Sequence, residues 1–169
     1  MLIQQNVDGS AFFNRSWAEF KVGFGDPSGN YWLGNERLSQ LTMNNNYKLK
    51  FDLQSRSNRN WYWAKYSTFR VLPEAQNYRL QVAGYSGNAG NDALKVQNGM
   101  IFTTYDRKND LHLKVNCAVR SGGGFWYNMC YRCGVNSARD LVHYDWDFYW
   151  YGLPGGKNLQ SSRMWLQCK

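Results

Sequence analysis

The sequence predicts an α+β fold: a central antiparallel sheet with two short helices, followed by a long stretch of ordered loops. Three observations carry this. A helix-start signature stands near the N-terminus, the hydrophobic period switches to two at Tyr47, and the chain beyond Gly84 is rich in turn residues and aromatics but loses its regular period. With 169 residues the chain is long enough for one domain with a substantial core.

The first helix is announced by Ser16-Trp-Ala-Glu19, a capping box in which hydroxyl and carboxylate each satisfy the other residue's backbone amide. Trp17, Phe20 and Phe24 then share one helical face, and Gly23 and Gly25 end the run. A second short helix follows Asn35 and buries Leu38 and Leu41. From Tyr47 the side chains alternate: Tyr47, Leu49, Phe51 and Leu53 face one way, Lys48, Lys50 and Asp52 the other. That is the mark of a half-buried antiparallel strand. SRSNRN (55–60) is a polar turn, Trp61 to Val71 the partner strand, and Tyr78, Leu80 and Val82 begin a third. GYSGNAGND (84–92) spaces its glycines like turns. A phosphate loop would need a strand before it and a helix after it, and neither is evident. The remaining eighty or so residues read as loops held by aromatics and disulfides, the kind of segment that carries binding sites.

The composition narrows the function. The chain holds 8 Trp, 12 Tyr and 9 Phe, a load that suits irregular cores or sugar-binding surfaces. The net charge of +8 admits nucleic acid, acidic glycans or anionic membranes as partners. The basic residues are scattered, however, without a block of five, so the charge reads as solubility or polyanion affinity rather than specific nucleic-acid binding. No apolar run approaches a membrane span. The start, MLIQQNVDGS, lacks a signal-peptide profile and reads as a fragment or a chain without its leader. Only His112 and His143 are available as bases, and no nucleophile motif or paired-carboxylate signature accompanies them, so catalysis is not expected.

Cys117, Cys130, Cys133 and Cys168 are an even set, which points to two disulfides and an oxidising compartment. The alternative is a zinc site built on the CxxC of Cys130 and Cys133 with Cys117 and Cys168, but that second pair lacks the CxxC spacing. In YDRKNDLHLKVNC (105–117), Asp106 and Asp110 suggest a calcium loop, yet Lys108 stands between them in the alternation. An ammonium only donates and cannot ligate a cation. Asn14-Arg15-Ser16 is formally a glycosylation sequon that overlaps the helix start.

Several strings resemble the fibrinogen-related domain family in order and spacing. They are DGSAFFNRSWAEFKVGFGDPSGNYWLGNERLSQLT, YKLKFDLQ, AKYSTFRV, YRLQVAGYSGNAG, NGMIFTTYDRKND, NCAV and GFWYNMC, spanning about Asp8 to Leu166. The family's short first subdomain has no counterpart. The resemblance implies a single domain over 1–169, divided at about 8–83 and 84–169 into a central sheet subdomain and a loop-rich binding subdomain. It implies a secreted recognition module without enzymatic activity or cofactor, similar to lectin-like members such as ficolins and tachylectins. Such a module binds acetylated sugars or related surface ligands in innate immunity and works as a multimer. The alternatives are a protein-binding adhesion or signalling module of the angiopoietin or tenascin kind, a fibrinogen-like hole that takes a peptide amino terminus, and a remnant that no longer binds.

The resemblance also implies site residues. Cys117 and Cys130 match the family's disulfide; Cys133 and Cys168 lie outside its pattern and are expected to pair with each other. The family's calcium ligands fall on Lys108 and Asp110, with backbone carbonyls near His112 and Lys114, while Asp106 is structural. One carboxylate has become a cation, so calcium is expected to be lost and the Lys108 ammonium to stand in its place. A cis peptide at Met129–Cys130 is expected to aim the amides of Cys130 and Tyr131 at a ligand oxygen. Tyr131 replaces the usual histidine, Ser121 falls where some acetyl binders carry an aromatic, and Tyr144 matches a pocket tyrosine. Asp145 suits a ligand ammonium. Trp126 and Trp150 match family tryptophans and are expected in the core.

Overall fold

The computed structural model describes residues 1–44, 46–139 and 148–169. Its centre is a seven-stranded antiparallel sheet ordered β2-β3-β1-β7-β4-β5-β6. The strands are β1 (Leu2–Asn6), β2 (Phe24–Gly25), β3 (Tyr31–Trp32), β4 (Tyr47–Ser55), β5 (Trp61–Val71), β6 (Leu80–Gly87) and β7 (Leu159–Cys168). The helices α1 (Trp17–Val22) and α2 (Asn35–Thr42) lie between the strands in sequence, and α3 (Cys117–Ser121) lies in the loop region.

The local rules act as expected in the first half. Ser16 Oγ accepts from the Glu19 amide at 3.3 Å and Glu19 Oε2 accepts from the Ser16 amide at 2.9 Å, closing the capping box. The Ser16 hydroxyl of the sequon is thus engaged in the cap. Phe24 follows the helix in β2 rather than in α1, yet its ring still packs 5.0 Å from Phe20. In β4, Leu49, Phe51 and Leu53 are buried, and they pair with Tyr66, Ala64 and Tyr62 of β5 on the same face.

The two ends of the polypeptide differ from the sequence reading, which left both outside the central sheet. β1 and β7 pair with each other, and β7 also runs antiparallel along the whole of β4, from Tyr47↔Cys168 to Ser55↔Leu159. The C-terminal segment is therefore a central strand rather than the end of the loop-rich region. Serines disguise it. Ser162 stands on the core face opposite Leu53, and it is buried because its hydroxyl and the Gln4 side-chain amide, 3.2 Å away, satisfy each other. Ser161 is buried through a 3.1 Å bond to the Asn6 carbonyl.

Two sets of contacts attach the loop region to this sheet. One is aromatic. The buried Phe102 ring lies 5.0 Å from Phe20, 5.1 Å from Trp126, 5.9 Å from Trp32 and 6.3 Å from Trp17, all within the range where ring pairs attract. Trp126 and Trp150 are fully buried, and the Trp126 indole donates to the Tyr78 carbonyl at 2.7 Å. The other is polar. The buried amides of Gln4 and Asn6 both donate to the Val135 carbonyl at 3.1 Å. Asn136 Nδ2 donates to the Gly124 carbonyl at 3.0 Å. Gly123 passes so close to the Asn136 carbonyl that a Cβ there would collide with it.

Phe102 is the ring that several elements share, so Phe102→Ala is expected to destabilise the domain by about 3–5 kcal/mol, read by urea denaturation. A loss below about 1 kcal/mol would mean the hub is not what joins loops to sheet.

Candidate functional site

The loop 105–117 is organised by two carboxylates with different tasks. Asp106 Oδ1 accepts from the Trp17 amide at 2.9 Å and the Thr104 hydroxyl at 2.7 Å. It therefore caps the first turn of α1 from a distant loop, a structural role. The Asp110 side chain is fully buried. Its Oδ1 accepts from Lys108 Nζ at 3.0 Å and the His112 amide at 3.0 Å, and its Oδ2 accepts from the Cys117 amide at 3.1 Å. The Lys108 ammonium also donates to the Asp110 carbonyl at 3.1 Å.

Calcium needs several anionic or carbonyl oxygens turned toward one point. Here both oxygens of the one buried carboxylate already face N–H donors, and a cationic nitrogen stands beside them. These residues do not fit a calcium ion. The carbonyl that the ammonium reaches is that of Asp110, not those of His112 and Lys114. His112 instead uses Nδ1 to accept the amides of Lys114 and Val115 at 3.2 and 3.3 Å, closing the turn.

The loop is coupled directly to the neighbouring site. Cys117, whose amide Asp110 holds, is bonded to Cys130. The Leu111 amide donates to the Asn128 carbonyl at 3.0 Å, and the Asn128 amide donates to the Cys130 carbonyl at 2.7 Å. Asn116 caps α3 by accepting from Ala118 and Val119, and its amide fastens α3 to the Thr104 and Tyr105 carbonyls at 3.0 and 3.1 Å. Asn116 had a readable signal, an Asn just before the cysteine that opens a helix. Asn128 had none, because its carbonyl meets the Leu111 amide and its side chain the Val96 carbonyl only in the folded chain.

The Met129–Cys130 peptide is cis. Met129 is 72% exposed, Cys130 is buried, and the Cys130 amide meets no acceptor among the described residues. Beside it stands a column of tyrosines: the Tyr131 ring lies 5.3 Å from both Tyr127 and Tyr149. Tyr149 donates its hydroxyl to the Tyr131 carbonyl at 2.6 Å, which fixes the backbone next to the cis bend. Burial pushes the hydroxyls of Tyr127 and Tyr149 well above the ordinary tyrosine range, so both stay protonated as donors.

Two expectations about the site are corrected. Ser121 is fully buried at the end of α3, bonded to the Cys117 carbonyl at 2.6 Å and the Tyr127 hydroxyl at 2.7 Å, so it supports the site from inside and cannot touch a ligand. Cys133 and Cys168 are not paired. Cys168 is exposed at the sheet position opposite Tyr47, whereas Cys133 is buried and bridges to Trp150 in the loop region. The Cys117–Cys130 bond also removes the thiolates that a zinc site would need. His143, Tyr144 and Asp145 lie outside the described residues.

An apolar rim borders the site. Leu113 is 98% exposed, and Leu111, Val119 and Met129 are also more than half exposed. Of these, the family resemblance had marked Met129 alone; sequence reasoning had no reason to select Leu111, Leu113 and Val119, because their hydrophobicity alone reads as core.

Comparison with known proteins places this geometry. A family model described as "Fibrinogen beta and gamma chains, C-terminal globular domain" matches residues 1–168. Human Angiopoietin-related protein 1 is 46% identical over 127 residues, 75% of this chain and 25% of that protein. Human Ficolin-3 is 40% identical over 136 residues, 80% of this chain and 45% of that protein. The chain thus spans less than half the length of these curated relatives. The solved fibrinogen-like globe domain of human ANGPTL2 superposes with a TM-score of 0.87 at 36% identity, over 99% of this chain and 79% of that one.

Two outcomes follow from the geometry of the loop and the cysteines. Without reductant, a thiol reagent is expected to titrate one cysteine, Cys168, in the native protein and two in denaturant. Burial both shields the Cys133 sulfur and pushes its thiol well above the ordinary range. Two rapidly reacting native thiols would contradict the buried placement. For the loop, Lys108→Asp replaces the ammonium by a second carboxylate. Millimolar calcium is expected to raise the Tm of this variant by several degrees and to leave the native protein unchanged. A calcium-dependent Tm in the native protein would sink the assignment of Lys108.

Proposed function

The chain belongs to the family formed by the C-terminal globular domains of fibrinogen beta and gamma chains, and from that premise we propose that it is an extracellular recognition module that binds acetyl-bearing sugars at Cys130 and Tyr131 without calcium. Members of this family are binding modules rather than enzymes. The carrying observation is the Cys130 amide, which meets no acceptor among the described residues and stands at the cis bend beside the tyrosine column. A ligand carbonyl oxygen would give that donor its partner, and a small methyl group would pack on the adjacent ring. The similarity to Ficolin-3 supports the sugar reading.

Independence from calcium rests on the Lys108–Asp110 pair. In a calcium loop the ion would order the segment that leads to the disulfide. Here the ammonium, the buried carboxylate and the Cys117 amide make that connection with protein groups alone. A single small site that grips one acetyl group binds weakly, so the module is proposed to act in a multimer. No described helix is long and apolar enough to cross a membrane.

A second reading has its own support. The exposed rim of Leu111, Leu113, Val119 and Met129 is chemically suited to a protein partner, and the similarity to Angiopoietin-related protein 1 points the same way. Retention on an N-acetylglucosamine resin, with calcium and with chelator, separates the two. The sugar reading expects equal retention in both conditions and at least about ten-fold weaker binding for Tyr131→Ala. Absence of retention in both conditions would discard it in favour of the rim. Retention lost only in chelator would discard the role of Lys108.

A further inference from the structure

The second face of the sheet carries chemistry that the site above does not use. Along β4, β5 and β7, one face packs the core and the other is open. On the open face the register sets Lys50 between Lys65 and Trp165, Asp52 between Trp63 and Arg163, and Gln54 beside Trp61. Lys48, opposite Gln167, continues the row. Within this block four cations, Lys48, Lys50, Lys65 and Arg163, accompany the one carboxylate of Asp52.

Two of these cations are held against indoles. Lys65 Nζ lies 5.3 Å from the centre of the Trp63 ring, and Arg163 Cζ lies 5.0 Å from that of Trp61. Arg163 Nε also donates to Gln5 Oε1 at 2.8 Å. Asp52 is already shared between Lys50 at 2.7 Å and the Trp165 indole at 2.8 Å, so it adds little repulsion toward an incoming anion. Trp61 and Trp63 nevertheless remain 44% and 36% exposed. Neighbouring exposed indoles are enriched at binding interfaces, where one edge stays apolar and the other wet.

We propose that this face of β4, β5 and β7 is a second binding surface, for a sulfated polysaccharide. Its cations stand on a sheet lattice, about 4.8 Å between strands and about 6.8 Å between alternate residues of one strand. A polymer with closely repeated fixed anions can meet several of them at once. Pinning against the indoles lowers the side-chain entropy that each contact would cost. The occupant is a polysaccharide rather than a nucleic acid because the exposed indoles already carry guanidinium and ammonium groups against their rings, which leaves them poorly placed to stack bases. This surface is separate from the site at Cys130 and does not rest on the sugar reading of that site.

The test is retention of the whole chain on immobilised heparin, with neutral dextran as control and elution by salt. Lys48→Glu with Lys65→Glu reverses two charges on this face, the first exposed and the second half-buried. Arg37→Glu with Lys95→Glu makes the same change in net charge at exposed positions elsewhere. The proposal expects heparin but not dextran to retain the protein. It expects the first pair to lower affinity about ten-fold at low salt and to elute early, and the second pair to elute near the native protein. Equal loss from both pairs would overturn it, because the net charge of +8 alone would then explain the binding. Absence of retention on heparin would overturn it too, as would displacement by a single-stranded DNA oligonucleotide at lower concentration than by free heparin. Unchanged near-UV circular dichroism is required of both pairs, and the placement of all four side chains outside the buried core predicts it.

Discussion

The insertion of β7 between β1 and β4 is the constraint on which the other features depend. It joins the β2-β3-β1 group to the β4-β5-β6 group, and it does so with the last residues of the chain. The sheet can close only after most of the polypeptide is in place, a costly arrangement in loop entropy that the core must offset. The core does so with aromatic area. Leu49, Phe51 and Met164 line the sheet, and above them Phe102, Trp32 and Trp126 bind the loop region to it. One face of the sheet therefore serves the binding loops, and its other face is left open with a cationic, indole-rich surface.

Above the hub, rigidity passes to the site through a short series of covalent and hydrogen-bonded links. Lys108 holds Asp110, Asp110 holds the Cys117 amide, and Cys117 is bonded to Cys130 at the cis bend. A buried carboxylate is costly unless both its oxygens find donors, and a buried charge is costly unless it finds a counter-charge. Asp110 has both, from Lys108 and His112 two residues away on either side and from the Cys117 amide further on. A buried carboxylate that would otherwise need an ion for neutrality is neutralised by a side chain of its own loop. The tyrosines complete the support from beneath: Ser121 and Tyr127 are buried together, and the Tyr149 hydroxyl fixes the Tyr131 carbonyl.

Features governed by near neighbours were legible in the amino-acid order. The capping box of Ser16 and Glu19, the alternation of β4, the division of labour between Asp106 and Asp110, and the burial of Trp126 and Trp150 all follow from local pattern or from the family resemblance. The misread features share a cause. β7 looked irregular because Ser161 and Ser162 are both buried where the ladder shifts register, and a serine can be buried only when distant acceptors such as the Asn6 carbonyl are known. Ser121 looked like a pocket residue because its hydroxyl's partners, the Cys117 carbonyl and the Tyr127 hydroxyl, come together only in the folded protein. Cys133 and Cys168 looked like a pair because counting cysteines carries no distance.

By itself the sequence determined the fold class, the family, the two short helices, the hairpin of β4 and β5, and the replacement of an expected calcium ligand by Lys108. Those depend on side-chain period, capping chemistry and residue identity, all of which are local. The tertiary structure alone decided that the C-terminus is a central strand, that two cysteines stay apart, that Ser121 is buried, and that cations and indoles gather on the open face of the sheet. Each of these depends on which distant segments become neighbours, and that is set by register and burial summed over the whole molecule rather than by any stretch of it.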